Sequence, residues 1–337
     1  MFLGNKLTVS SSPHLHSGEN TRTLMFDVII ALLPAAAMSV LLFGVRTLLV
    51  MAVSIVSCVL FEYVSRKLMR RSNSIGDLSA VVTGLLLAFN LPSTIPIWVV
   101  VIGAFVAIVI AKQFFGGIGQ NFVNPALVGR ITLMVSFPQY MSMKEWPDPK
   151  LFLKSAADAT TSASPLSLLA DGSLPGLAQT FTGTEVPKYD MLDMFLGFRP
   201  GSLGETCVAA LLIGGLYLVI RKVISPIIPL VFMGTTVAVT WICGQNPLYN
   251  LMAGGLMLGA IFMATDYTTC PINTRGKVIY AIGCGLITAV IRLFGNMPEG
   301  VSIAIVLMNI LVPHIERLTT PKPFGYMKSN QKEGEAV

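Results

Sequence analysis

Charge is scarce in this chain: Asp, Glu, Lys and Arg make up only 12% of its 337 residues, roughly half the share of an ordinary soluble domain. Histidine is scarcer still, with three residues. The five cysteines, Cys58, Cys207, Cys243, Cys270 and Cys284, are scattered without one CxxC pair. That spacing supplies neither a zinc site nor an iron–sulfur site from this chain alone. Most of these cysteines fall in or near apolar runs, where packing thiols are ordinary. Ser12-Pro13-His14-Leu15-His16 sets two histidines at i and i+2 with no third ligand nearby, so no metal is assigned. No cleavable leader is evident, because the first apolar run follows a long polar stretch and is itself long enough to remain a helix.

Apolar sequence is what the chain has in abundance, with 53% hydrophobic residues and a mean hydropathy of +0.72. A soluble fold this apolar has no way to cover its surface, whereas a protein surrounded by hydrocarbon needs such a composition. The net charge of +6 does not indicate a nucleic-acid partner. The basic residues lie in short clusters between apolar runs, the pattern of topology signals facing membrane lipid.

The runs predict an all-α integral membrane fold of ten transmembrane helices. They fall near 24–43, 46–65, 76–91, 95–112, 121–138, 202–220, 224–243, 247–265, 277–294 and 299–317. The third and fifth are the weakest as full spans. With the N-terminus in the cytoplasm, 16 of the 23 Lys and Arg residues fall on the cytoplasmic side, Lys112 and Arg130 counted among them. Both termini are then cytoplasmic. Ten is twice five, and a repeat with an odd number of spans must be inverted relative to its copy. Gly84 to Phe89, with Phe114-Phe115-Gly116 further on, is weakly echoed by Gly255 to Phe262 and Leu293-Phe294-Gly295. The expected division is an N-terminal repeat over 1–138, an extracytoplasmic loop over 139–200, a C-terminal repeat over 201–317 and a cytoplasmic tail over 318–337.

Within the long loop runs Asp158-Ala159-Thr160-Thr161-Ser162-Ala163-Ser164-Pro165-Leu166. Asp, Thr, Ser and Pro in an outer loop ordinarily make just a loop. The order of these residues, however, resembles the acceptor pattern for covalent flavinylation, Asp-x-x-(Ser/Thr)-(Gly/Ser)-Ala-(Thr/Ser). Its last hydroxyl, here Ser164, forms a phosphoester with FMN. Small neighbours let a modifying enzyme bring a bulky nucleotide close to the backbone, and Asp158 and Thr161 complete the pattern. Thr160 and Thr161 are the alternative acceptors.

Further candidates lie near the spans. Phe115-Gly116-Gly117-Ile118-Gly119-Gln120-Asn121-Phe122-Val123-Asn124-Pro125 does not continue a helix comfortably. It reads either as a tight interhelical turn or as a partly re-entrant segment whose Asn121 and Asn124 face a cofactor or ion. Asp266, after Phe262-Met263-Ala264-Thr265, is either a solvated helix end or part of a cation path. Solvated helix ends are also the expectation for Asp77, Glu205 and Glu299. Asp27, Glu62 and Arg292 lie within apolar runs, where each must face the bundle or snorkel. Snorkelling is the plain reading of Glu62, while Arg292 could bind a carboxylate or a flavin's oxygens.

Together these segments resemble one family: the flavin-carrying membrane subunits of ion-pumping electron-transfer complexes, comprising the D subunit of the Rnf complex and the B subunit of the sodium-pumping NADH:quinone reductase. The resemblance rests on Ser12-Pro13-His14-x-His16, Ala31-Leu32-Leu33-Pro34-Ala35, Phe115-Gly116-Gly117…Asn121…Asn124-Pro125-Ala126 and the loop motif. It extends to Met263-Ala264-Thr265-Asp266, Pro298-Glu299-Gly300-Val301 and Leu307-Met308-Asn309. The compact N-terminus suits the Rnf D type better than the reductase B type, which remains the alternative.

The resemblance implies a ten-helix bundle of two inverted halves in a bacterial inner membrane, with FMN esterified on the outer face and riboflavin as a second, non-covalent flavin. It implies electron relay between ferredoxin and NAD coupled to outward movement of Na⁺ or H⁺. The implied partners are Rnf subunits of the A, B, C, E and G types and a flavin transferase. The family's acceptor is usually Thr and the small residue usually Gly, where this chain has Ser164 and Ser162. Two readings of other classes remain: a cofactor-free inverted-repeat transporter or channel, and a structural scaffold that binds no flavin.

Overall fold

Two long helices open the structure, a computed structural model that describes residues 20–141, 145–147, 149, 161–163, 165–166, 191–295 and 299–321. Helix α1 (Thr21–Phe43) starts where the Asn20 amide donates to the Thr23 hydroxyl at 2.9 Å. It reverses into α2 (Val45–Leu68) through Gly44 alone, whose φ of 83° is left-handed. Both are apolar over most of their circumference, as a helix facing lipid on one side and protein on the other must be.

The chain then becomes irregular where the sequence predicted a continuous third span. A single 3-10 turn, Ile75–Asp77, and a left-handed Leu78 (φ 63°) precede α3 (Ser79–Phe89). Asp77 accepts the Ser79 amide at 2.8 Å, which closes the start of the helix instead of standing in solvent. Ten of the 11 residues of α3 are buried, so this short helix is an axis of the molecule and not a peripheral span. Helix α4 (Ile97–Phe105) continues as π-turns over Val106–Gln113. Helix α5 (Pro125–Ser136) begins four residues later than its predicted span, and the one-turn α6 (Pro138–Met141) follows.

Strands β1 (Glu145–Pro147) and β2 (Thr161–Ala163) pair antiparallel, with Trp146 opposite Ser162. After α7 (Met191–Leu196), residues 199–206 run buried but without helix. The predicted sixth span thus shortens to α8 (Val208–Ile220). The physical reason is a close approach: a Cβ on Gly204 would overlap the Phe89 ring, so the backbone itself lies against α3. The Leu203 and Gly204 amides donate to the Leu91 and Phe89 carbonyls at 3.0 and 2.9 Å. These bonds satisfy acceptors that the end of α3 leaves open, which is how irregular backbone survives inside protein at membrane depth.

Helix α9 (Ile227–Ile242) is followed by a second departure. The predicted eighth span is broken into α10 (Pro247–Met252), α11 (Leu256–Leu258) and π-turns over Gly259–Met263. Gly254 (φ 63°) and Gly255 make the break. Helices α12 (Thr274–Phe294) and α13 (Val301–Thr319) complete the bundle. Among the described residues, α1, α2, α12 and α13 are long and apolar enough to cross a membrane, and five further apolar helical stretches are shorter. The chain is therefore a mostly helical membrane protein.

The bundle's centre is set by α1 against α8, α2 against α3 and α4, and α9 against α12. A Cβ on Gly214 of α8 would overlap the Ala31 carbonyl oxygen of α1, so these two backbones touch through a small residue, a usual device of helices packed in lipid. Asp27 of α1 accepts the Tyr217 hydroxyl at 2.8 Å and pairs with Arg221 at 3.1 Å, which ties the same two helices at one end. Gly214→Leu is expected to destabilise the protein by about 1–3 kcal/mol through overpacking. Thermal unfolding in detergent checks this; a variant that melts with the wild type would show that the two backbones are free to part.

Candidate functional site

Two buried polar regions lie at opposite ends of α3. At its N-terminal end the π-turns after α4 place Lys112 inside the protein, 2% exposed, with Nζ 2.7 Å from Glu62 Oε2 and 2.6 Å from Ser79 Oγ. The carboxylate of Glu62 is fully buried and also accepts the Ser74 hydroxyl. A π-turn inserts a residue into the helical repeat, and such insertions recur at functional sites. Glu62 therefore does not snorkel. It is one half of an interior ion pair, which α2 could not supply alone because Lys112 stands 50 residues away.

Beside this pair is a pocket of about 690 Å³, part of it open to solvent. Its polar lining comes from Ser79, Lys112, Asn121, Asn124, Asp266 and Thr268, and its apolar walls include Leu86, Leu218 and Phe262. Three residues singled out from the sequence, Asn121, Asn124 and Asp266, meet here. Asn124 caps α5 by accepting the Ala126 amide at 3.1 Å while its amide nitrogen donates to the Met263 carbonyl at 3.2 Å. Asn121 donates to Thr268 Oγ1 at 3.0 Å. The glycine-rich turn thus joins the N-terminal half of the chain to the end of the second π-turn. Asp266 is half-buried and accepts the Thr268 hydroxyl at 3.1 Å. Burial raises its carboxyl above the ordinary range, and the threonine hydrogen bonds oppose that shift.

At the other end of α3, Arg130 of α5 donates to Asn90 Oδ1 at 2.6 Å and pairs with Glu299. Arg130 is thus interior, not a residue of the cytoplasmic rim as its count in the topology assumed, and Glu299 is no solvated helix end. Nor is Glu205, 3% exposed, whose Oε1 accepts the Ser202 amide at 3.1 Å. Arg199, 2% exposed, donates to the Glu205 and Thr206 carbonyls. Arg292 of α12 is 4% exposed and donates to the Asn250 and Ala253 carbonyls at 2.6 and 3.0 Å. It therefore caps the carbonyl end of α10, where a cation is favoured, and lies far from the asparagine pocket.

The loop motif reaches this second region. Asp158 and Ser164 lie outside the described residues, and Thr161 starts β2. Leu166, two residues after Ser164, is 4% exposed and packs with Met194, Tyr249 and Ala253. A Cβ at Gly254 would lie 3.3 Å from both a Leu166 methyl and an Arg292 nitrogen. Within the motif, Thr161–Ala163 pair with β1, and Leu166 after it packs on the bundle.

Comparison with known proteins places this geometry. A family model described as NQR2, RnfD, RnfE matches residues 8–325. The chain belongs to that family. It is 44% identical over 332 residues to the D subunit of the Na(+)-translocating ferredoxin:NAD(+) oxidoreductase complex of Acetobacterium woodii, with 98% of each chain covered. It is 43% identical over 328 residues to the D subunit of the proton-translocating ferredoxin:NAD(+) oxidoreductase complex of Clostridium ljungdahlii, covering 95% of this chain and 97% of the relative. The D subunit of the ion-translocating oxidoreductase complex of Stutzerimonas stutzeri is 37% identical over 325 residues, with 90% and 91% covered.

Sequence reasoning missed the interior placement of Lys112, which lines this pocket. The available signal was Glu62 itself, since an acidic residue in an apolar helix calls for a cation elsewhere. Also missed was the shared Asn-Pro start of two interior helices, Asn124-Pro125 and Asn246-Pro247, where each Asn caps its helix with φ −65° and ψ 119°. Lys112→Met leaves Glu62 buried without its counter-charge, and a loss of about 3–5 kcal/mol is expected. The double variant Glu62→Gln/Lys112→Met should recover most of it. Melting curves in detergent decide this, and a single variant as stable as the wild type would mean that the pair is not electrostatically coupled.

Proposed function

We propose that this chain is the D-type component of an Rnf complex, an ion-translocating ferredoxin:NAD oxidoreductase of the bacterial inner membrane. It relays electrons through flavin and works with A-, B-, C-, E- and G-type subunits. The observation that carries the reading is the near full-length likeness to relatives named as the D subunits of such complexes, joined to a flavin-acceptor pattern followed by Leu166, which packs on the bundle. The second reading, a B-type component of the sodium-pumping quinone reductase, shares the family but not the names of these relatives.

In this reading a flavin transferase esterifies FMN to Ser164, with Asp158 and Thr161 as recognition contacts. Arg292 lies on the same side of the bundle as Leu166, with a guanidinium nitrogen and a Leu166 methyl each 3.3 Å from the Cβ position of Gly254, and a guanidinium suits phosphate or flavin oxygens. The asparagine pocket suits the non-covalent riboflavin: apolar walls for the ring, with Asn121, Asn124 and Asp266 as edge contacts. Flavin, when bound, supplies the redox chemistry. The chain's own residues orient it, exclude water and set the charge around it.

Ten spans in two inverted halves, both termini cytoplasmic, complete the proposal. The packing of α1 on α8, the first helices of the two halves, supports it. So does the separation of ends. Arg66, Lys67, Arg70 and Arg71 lie at and just after the end of α2, near Gln113 and the asparagine pocket, whereas Leu166 lies at the Arg292 end. The first end then faces the cytoplasm and the flavin loop the outside.

A denaturing gel under ultraviolet light tests the tether. Co-expressed with its transferase, the wild type should fluoresce and Ser164→Ala should be dark; fluorescence in both would move the acceptor to Thr160 or Thr161, and a dark wild type would sink the tethered flavin. For the pocket, Asn121→Leu should lower the flavin released by acid while the covalent band persists. Unchanged release would place the second flavin elsewhere.

A further inference from the structure

A second pocket adjoins the first at the same end of the bundle, on the far side of residues 265–267. It lies between the turn from α8 to α9 and the start of α12, and it encloses about 800 Å³, part of it open to solvent. Lys222, Ser225 and Lys277 line it together with the apolar Val219, Ile224 and Ile228. Lys222 adopts a left-handed φ of 57° as the Lys222 and Val223 amides close the end of α8 on the Val219 and Leu218 carbonyls.

Three observations bear on what this pocket takes. Neither lysine forms an ion pair among the described residues. Two carboxylates of neighbouring segments hydrogen-bond to other groups and not to the lysines: Glu316 accepts the Ile272 amide at 3.0 Å, and Asp266 accepts the Thr268 and Thr269 hydroxyls at 3.1 and 3.4 Å. The residues flanking the pocket along the chain are apolar and strongly exposed, with Ile220 at 70%, Leu230 at 64% and Ile272 at 81%. Two free ammonium groups attract an anion, and an apolar rim is of no use to a hydrated one. Both requirements are met by a molecule with a phosphate at one end and hydrocarbon at the other.

We propose that this pocket binds the headgroup of an anionic phospholipid, its phosphate between Lys222 and Lys277 and its acyl chains along the apolar rim. A zwitterionic lipid brings its own cation and gains less from the two lysines; an anionic one gains from both. The pocket shares Ile224, Thr265 and Tyr267 with the asparagine pocket, and the Tyr267 hydroxyl donates to the Val223 carbonyl. A bound headgroup therefore braces the wall between the two cavities. The site does not depend on the electron-relay reading, which sets only the leaflet the lipid comes from.

Native mass spectrometry of the delipidated full-length chain tests the site with phosphatidylglycerol, phosphatidylcholine of the same acyl chains, and inorganic phosphate. The wild type should retain phosphatidylglycerol over phosphatidylcholine. Lys222→Gln/Lys277→Gln should weaken that retention by about thirtyfold, given the usual contribution of each lysine near an anionic lipid. Lys222→Arg/Lys277→Arg should preserve it, and the control Lys67→Gln/Arg70→Gln, which removes two charges from another turn at this end, should leave it unchanged. If the double Gln variant does not fold, Lys277→Gln alone is read in the same way. Equal retention of the two lipids, an unweakened Gln variant or an equally weakened control would each overturn the proposal. Stripping of the lipid by inorganic phosphate would assign the pocket to the free ion and overturn it as well.

Discussion

Backbone groups that end inside hydrocarbon must be satisfied by the chain itself, because no water is there to do it. This architecture follows from how that is done at the interior helix ends. The carbonyl end of α3 receives the Leu203 and Gly204 amides, so the chain before α8 is drawn into the bundle. The carbonyl end of α10 receives the Arg292 guanidinium, so α12 is held against the broken segment. The start of α5 is capped by Asn124, which also reaches the Met263 carbonyl. Each solution joins segments far apart in sequence, and together they open the two polar regions where short helices stop.

Each region holds one interior ion pair. Burying an ion costs several kcal/mol unless a counter-charge and hydrogen bonds surround it. Glu62 has Lys112 and Ser74, and Arg130 has Glu299 and Asn90. The same low dielectric that penalises an unmatched charge strengthens the field a matched group projects on a neighbour. Side chains so placed are suited to tuning a redox group close by, and both polar regions adjoin a place where we propose a flavin.

Much was legible in the sequence because some constraints are local. Scarce charge and long apolar runs determined a helical membrane protein, since lipid permits few other ways to satisfy a backbone. Asn121, Asn124 and Asp266 stood out because a glycine-rich turn and a carboxylate at a span's end do not suit a plain helix, and they line one pocket. What only the tertiary structure decided was who meets whom. Lys112 was counted as a topology signal, yet π-turns carry it inward to Glu62; Arg130, Glu205 and Glu299 were assigned to rims, yet Arg130 pairs with Glu299 and Glu205 lies buried in the irregular segment before α8. Arg292 proved to serve the end of α10 and not the asparagine pocket. Hydropathy records how much a segment prefers lipid over water. It does not record the long-range pairings that let a charge or a broken helix be buried, because those depend on partners tens to hundreds of residues away.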